Sequence, residues 1–358
     1  MIEEPIHLLT GANERFAPGL MVAVASALAS IAAPAGTVVH VLDGGLSQPS
    51  KQRLERVTRR LGATLRLHNI RTADFDGFRP GPQGSTMTYA RLRMGSFIEA
   101  RRVIYFDSDM ILFGDLRSIW DRPLESTVAM ASRDRKVLFL PDDCPWPLSS
   151  TEASLPYFNS GFLVVDLDQW RSLDLESQAL SLAREQAHAC RWHDQTILNY
   201  LLRGRIQLLS DSWNWQREAL PQPPEFDALV LHFTTPKKPW LFWGADLRFR
   251  LWRCLYRLLF GSCLALFLHR DRWLGLLSGG WETLVRTSPW LHGIYLKYLA
   301  ALPKDSSPGR LDYYQSGNGR PLCNSEMQMQ NAILEAAKTR WKHRLNGAPG
   351  GQRSLRSS

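Results

Sequence analysis

Cysteine is scarce and scattered in this chain of 358 residues. Cys144, Cys190, Cys254, Cys263 and Cys323 share no CxxC spacing, which argues against a zinc site or a disulfide framework and suits reduced thiols in a cytosolic setting. The aromatic C-terminal part also lacks an apolar run long enough to cross a bilayer. In the tryptophan-rich segment 240–290 the uninterrupted apolar run, near residues 258–268, reaches about eleven residues even allowing Gly261 and Ser262, against the ~20 a spanning helix needs. The first residues, with Glu3 and Glu4, lack the basic-then-apolar order of an export signal, so export is not expected. There is no internal repeat, and no nucleic-acid-binding motif accompanies the basic residues, which sets nucleic acid aside as a partner. Glycine and proline are present in ordinary amounts for a globular protein. The length allows one large domain or two modest ones, either able to bury a substantial core.

Charge is unevenly spread. Residues 241–358 hold 17 basic and 7 acidic residues, leaving 26 basic against 27 acidic in 1–240, so the whole net charge of +9 belongs to the C-terminal third. Six tryptophans keep those charges company: Trp240, Trp243, Trp252, Trp273, Trp281 and Trp290. Arg248, Arg250, Arg253 and Arg257 interleave with Trp252, Tyr256 and Phe260. That mixture fits a helix lying in an anionic membrane interface, and it equally describes a buried, tryptophan-rich helical cap. Residues 303–320 are polar and turn-rich, 326–344 have helical composition, and 347–358 read as a flexible basic tail.

Strand and helix patterns alternate early: strands at 6–9, 38–42 and 64–67, with a small-residue helix at 20–31 and a charged helix at 52–61. Alternation of this kind predicts βα units and a mostly parallel sheet. Two long connections, 71–85 and 133–156, are rich in turn-forming residues and are expected to border a ligand cleft.

The chemistry gathers where apolar runs meet polar groups. In 103–112, VIYFDSDMIL, a continuous apolar run of central-strand character leads into Asp107 and Asp109. Ligands of open α/β sheets bind beyond the carboxyl ends of such strands. If the chain stays extended there, carboxylates at i and i+2 face the same way and can share one hard cation. An acidic turn with no metal explains the triplet as well. A second apolar run, 162–165, follows Tyr157, Phe158, Asn159, Ser160 and Gly161. His193, Asp194 and Gln195 open a helical pattern at 196–202, and Leu229, Val230 and Leu231 deliver His232, with Lys238 six residues on.

Taken together, TYARLRMG (88–95), YFDSD (105–109), YFNSGFLVVDLDQW (157–170), HDQTILN (193–199) and LHFTTPKKPW (231–240) resemble the family 8 retaining glycosyltransferases, in particular the lipopolysaccharide galactosyltransferase and glycogenin-like branches. The five motifs stand in family order over about residues 1–240. The resemblance implies an α/β fold of GT-A type with a mostly parallel central sheet, a UDP-hexose donor (galactose or glucose), retention of anomeric configuration, and manganese or magnesium. It implies Asp107, Asp109 and His232 as metal ligands and Asp194 and Gln195 as catalytic residues in the pocket of the transferred sugar. Thr10, Gly11, Ala12, Asn13, Phe16, Arg91, Ser108, Asn159 and Lys238 would bind the nucleotide sugar. Two positions depart from many members. The N-terminal nucleotide loop carries Asn13 and Phe16 in place of an acidic pair and a tyrosine, and Thr196 stands where some have a second carboxylate.

The expected organisation is a catalytic domain over 1–240, a Trp/Arg-rich helical segment over 241–302 attached to a membrane interface, and a polar basic tail over 303–358. The expected partners are a glycan or lipid-linked acceptor and an anionic membrane surface, with the protein cytoplasmic and peripheral on the inner face of the cytoplasmic membrane. Two other readings stand beside this one. A haloacid-dehalogenase-type phosphatase also places DxD after an apolar strand, but here the one adjacent aspartate pair, Asp142-Asp143, lies in a proline-rich loop. A membrane-associated sugar-nucleotide or glycan-binding protein without catalysis would keep the same pocket. Asp115, Asp121, Asp166 and Asp168 are expected at helix or strand ends, and His7, His40 and His68 on strands in structural roles.

Overall fold

The structure, a computed structural model, describes residues 4–81, 84–186, 188–216, 229–241, 247–260 and 342. All of 261–302 and, apart from Lys342, all of 303–358 therefore lie outside the described residues, the expected tail included. The chain divides into two compact units, Met1–Pro236 with His343–Ser358, and Lys237–Lys342.

Among the described residues the first unit has nine strands: β1 (His7–Ala12), β2 (Val38–Asp43), β3 (Thr64–Asn69), β4 (Arg102–Phe106), β5 (Met110–Leu112), β6 (Ala129–Arg133), β7 (Phe158–Asp166), β8 (Ile206–Leu209) and β9 (Val230–His232). Seven form one sheet in the order β3-β2-β1-β4-β7-β6-β8, while β5 and β9 pair antiparallel in a separate ribbon. Strands β1 to β4 are parallel, as the early alternation predicts. The sheet then reverses: β7 runs antiparallel to both β4 and β6, and β6 is parallel to β8. All nine residues of β7 are buried, and β3 at the edge is largely exposed.

The helix Ala17–Ala29 has every residue buried, as its small and apolar composition requires of a helix covered on all sides. The helix Gln48–Arg60 is one-sided, burying Ser50, Leu54, Val57 and Thr58. It starts four residues before the expected 52 because Ser47 caps it by accepting from Ser50 N–H and Pro49 occupies its first turn. Asp115 and Asp166 each N-cap a helix through their side chains, as expected of them. One hydrophobic core lies between the sheet and the helices Leu167–Ser172, Leu175–Gln186 and Asp194–Leu201, with Trp170, Tyr89, Phe75 and Leu163 among its members.

Three local expectations change. Thr10, Gly11 and Ala12 form the end of β1 rather than a loop, paired with Val41, Leu42 and Asp43. The Asp107-Ser108-Asp109 triplet is not extended: β4 stops at Phe106, Ser108 and Asp109 make a turn, and β5 leaves for the second sheet. A side chain of the all-buried helix and its C-cap hold it there, since Ser26 Oγ accepts from Leu112 N–H at 3.1 Å and Ser30 Oγ donates to Leu112 O at 3.0 Å. Asn159 and Ser160 lie within β7 and not ahead of it.

In the second unit the described helix Leu247–Phe260 carries the four arginines. Arg248 and Arg253 are buried, Arg250 is half-buried and Arg257 exposed. Trp252 is fully buried and lies near Trp240 and Tyr256, with ring centroids 5.6 and 5.3 Å away. Among the described residues no helix is long and apolar enough to cross a membrane.

Candidate active site

The antiparallel β7 is what assembles the site. Because it runs against β4, its polar beginning lies beside the carboxyl end of β4: Phe106 pairs with Phe162, and Asp107 N–H donates to Gly161 O at 2.8 Å. The ribbon brings in the third part. Met110 pairs with His232, and Phe233 N–H donates to Asp109 O at 3.0 Å, so His232 is delivered opposite the turn. Asp107, Asp109 and His232 thereby offer ligand atoms all within 4.8 Å of one another. His232 Nε2 lies 3.6 Å from Asp107 Oδ2 and 3.4 Å from Asp109 Oδ1. Gly161 is required by this packing, since a Cβ there would stand 2.5 Å from His232 Cε1 and 2.9 Å from Asp107 Oδ2.

Two half-buried carboxylates and one buried imidazole nitrogen, with ligand atoms close together, form a donor set suited to a divalent cation such as manganese or magnesium. The other imidazole nitrogen, Nδ1, is 2.9 Å from Asn214 Oδ1, which leaves Nε2 to face the two carboxylates. The residues therefore fit a metal ion.

Arg91, from the TYARLRMG motif, is buried among these carboxylates. Its Nη2 is 2.9 Å from Asp107 Oδ1 and its Nε 2.9 Å from Asp194 Oδ2, while Nη1 donates to Ser160 O at 2.7 Å. Burial opposes its charge, yet Asp107 and Asp194 outweigh that and raise its pKa. Most of its donors are committed inside the protein, so it braces the two carboxylates against each other. Tyr105 completes the brace, its hydroxyl donating to Asp107 Oδ1 at 2.7 Å under the Arg91 guanidinium.

Asp194 and Gln195 open the helix Asp194–Leu201, which is docked on β7 by a reciprocal pair: Asn199 Oδ1 accepts from Phe158 N–H and Asn199 Nδ2 donates to Phe158 O, both at 2.8 Å. Asp194 is also bonded by the Thr88 hydroxyl, and burial still pushes its carboxyl up to about 6. Gln195 Oε1 accepts from Ser160 N–H at 3.0 Å and its Nε2 donates to Asp134 Oδ2 at 3.2 Å. His193, just ahead, has φ 56° and ψ −125°, a conformation costly for a residue with a Cβ. The Thr196 hydroxyl is taken up by Asp143 and Tyr157. Asp142 caps the backbone of Leu138 and Phe139. The Asp142-Asp143 pair is thus structural.

At the carboxyl end of the neighbouring β1, Asn13 Oδ1 and Thr10 Oγ1 are buried without a hydrogen-bond partner in the structure, while Asn13 Nδ2 reaches Ser85 Oγ at 3.4 Å. Phe16 follows on a short 3-10 turn, Glu14–Phe16, and Ser108 is buried in the turn between Asp107 and Asp109. Lys238 is buried and belongs to the second unit.

Sequence reasoning missed two residues. Asp134 accepts from the N–H groups of Lys136 and Val137 and from Asn159 Nδ2 and Gln195 Nε2. It follows β6 as Asp107 follows β4, so the rule that picks carboxylates at strand ends would have found it. Asn214, between two tryptophans in a stretch without periodicity, left no such signal.

The family model for glycosyl transferase family 8 matches residues 7–244. General stress protein A of Bacillus subtilis (strain 168) is 23% identical over 258 residues, 66% of this chain and 88% of that protein. The lipopolysaccharide 1,3-galactosyltransferase of Salmonella typhimurium is 22% identical over 263 residues, covering 68% of this chain and 75% of its own length. Among solved structures, the galactosyltransferase LgtC in complex with donor and acceptor sugar analogs superposes with a TM-score of 0.60 at 24% identity, over 70% of this chain and 95% of that one.

Proposed function

From the premise that the chain belongs to glycosyl transferase family 8, and is a hexosyltransferase of that family, we propose that it moves galactose or glucose from a UDP-sugar to a glycan or lipid-linked acceptor, with retention of configuration. The convergence of Asp107, Asp109 and His232 at the end of the parallel strands carries this reading. A manganese or magnesium ion held there would neutralise the charge that develops on the diphosphate leaving group.

The chain's own residues do the rest. Asn13, Phe16 and the end of β1 receive the uridine, where Asn13 Oδ1 offers an acceptor that no protein group uses. Arg91 keeps Asp107 and Asp194 in place. Asp194 and Asn159 bind hydroxyls of the sugar. Gln195 presents a neutral amide, too weak a nucleophile for a covalent intermediate, and Thr196 offers no carboxylate in its place. Transfer is therefore front-face: the acceptor hydroxyl bonds to the anomeric carbon on the side from which the UDP oxygen departs, and its proton passes to that diphosphate oxygen. Gln195 steadies the positive charge at the anomeric carbon.

The likeness to a lipopolysaccharide galactosyltransferase supports an acceptor in cell-surface polysaccharide synthesis. We place the enzyme at the inner face of the cytoplasmic membrane, on the strength of the basic excess in 241–358. The test of retention is proton NMR of the product made from each UDP-hexose. The α-anomer from one of them is expected. A β-anomer, or a sugar–enzyme adduct seen by mass spectrometry, contradicts front-face transfer.

A further inference from the structure

Asp134 fixes, through two amides, which nitrogen of His232 is bare. Its buried carboxylate only accepts, so the Asn159 atom 2.8 Å from it is the Nδ2 donor. Asn159 Oδ1 then points the other way, where it accepts from Gly161 N–H at 3.0 Å; a flipped amide would set acceptor against acceptor at Asp134 and donor against donor at Gly161. The same Oδ1 accepts from Asn214 Nδ2 at 2.8 Å, which turns Asn214 Oδ1 toward His232 Nδ1 at 2.9 Å. An amide oxygen there demands a hydrogen on Nδ1, and Nε2 keeps the lone pair that faces Asp107 and Asp109. Backbone bonds keep Asn214 in this position. Trp215 N–H donates to Val230 O at 2.8 Å, His232 N–H to Trp215 O at 3.0 Å, and the Trp213 ring stacks on Phe162.

We propose that Asn214 is a positioning residue for the metal site, the last link of an Asp134–Asn159–Asn214 relay that presets the Nδ1–H tautomer of His232. Asp134 also accepts from Gln195 Nε2, so one carboxylate orients both the metal-ligand histidine and the amide in the sugar pocket. The proposal rests on Asp107, Asp109 and His232 holding a divalent cation, and partners of this kind are worth about 10–100-fold in metal affinity.

The experiment uses the full-length, metal-free chain labelled with 15N-histidine, with the His232 signal identified by its loss in His232→Gln. At a pH where the ring is neutral, the parent should show the Nδ1–H tautomer alone and Asn214→Ala a mixture. Manganese titration by calorimetry should give about 10–100-fold weaker binding in Asn214→Ala, with the fold checked by circular dichroism. An Nε2–H tautomer in the parent overturns the relay without needing a variant to fold. So does parent-like manganese affinity in folded Asn214→Ala, provided His232→Gln weakens binding. If His232→Gln binds manganese as the parent does, the metal assignment fails instead, and the tautomer signal still judges the relay.

Discussion

At the scale of single residues, the cluster of Asp107, Asp109 and His232 was legible because each member follows an apolar run: Asp107 and Asp109 after 103–106, His232 after 229–231. What neighbours do to those residues was not. Arg91 reads as a cation for the donor, yet in the structure its guanidinium is largely engaged by Asp107, Asp194 and Ser160, contacts made across 16, 103 and 69 positions of sequence that no local pattern encodes. Gly161 is a position where the sequence motif and the packing agree. Adding one methyl there must displace the His232 ring or the Asp107 carboxylate. Gly161→Ala is therefore expected to fold but to lose at least about tenfold in manganese affinity, measured by calorimetry. Affinity equal to the parent would mean that the ligands at this point have slack the structure does not show.

At the scale of elements, the parallel half of the sheet followed from the alternation of apolar runs and helices, whereas the reversal at β7 did not. A strand buried on both faces has the same composition in either direction. The long connection 133–156 reverses the chain before β7, and it is this reversal that sets Asn159, Ser160 and Gly161 beside Asp107. The three histidines fell on strands as expected, and they do more than fill space. His7 Nδ1 meets His40 Nε2 at 3.0 Å and His40 Nδ1 meets His68 Nε2 at 2.9 Å, a ladder across β1, β2 and β3. Burial first, then the nearby His7, His68 and Arg66, lowers the pKa of His40 from 6.5 to about 3. The folded chain refuses a proton that the unfolded chain accepts. The contribution is therefore whole above about 6.5 and is lost progressively as pH falls toward about 3. His40→Gln should flatten the fall of melting temperature over that window relative to the parent. Parallel curves for the two proteins would show that the ladder is not a source of acid lability.

At the scale of the whole molecule, the family and the fold of the first unit were legible, because five motifs in order constrain far more than any single strand. The C-terminal third was legible only as charge and aromatic content. Burial of Arg248, Arg253 and Trp252 withdraws much of the pattern that suggested an interfacial helix and leaves Arg257 as its exposed arginine. If the segment attaches to membrane, full-length protein should pellet with anionic vesicles, release with salt, and lose about fivefold in partitioning in Arg257→Gln, from ~1 kcal/mol per basic side chain at the surface. Partitioning unchanged by both salt and substitution would assign the helix to packing alone. The central claim, metal-dependent hexosyl transfer at Asp107, Asp109 and His232, has a more direct test. UDP release from UDP-galactose and UDP-glucose, with a glycan acceptor, is followed in chelator-stripped protein as manganese is added back, beside Asp109→Asn. The stripped parent should be inactive and recover saturably, and folded Asp109→Asn should stay on the order of 100-fold or more below it. Full turnover by the folded, stripped parent, or by Asp109→Asn, would contradict the account.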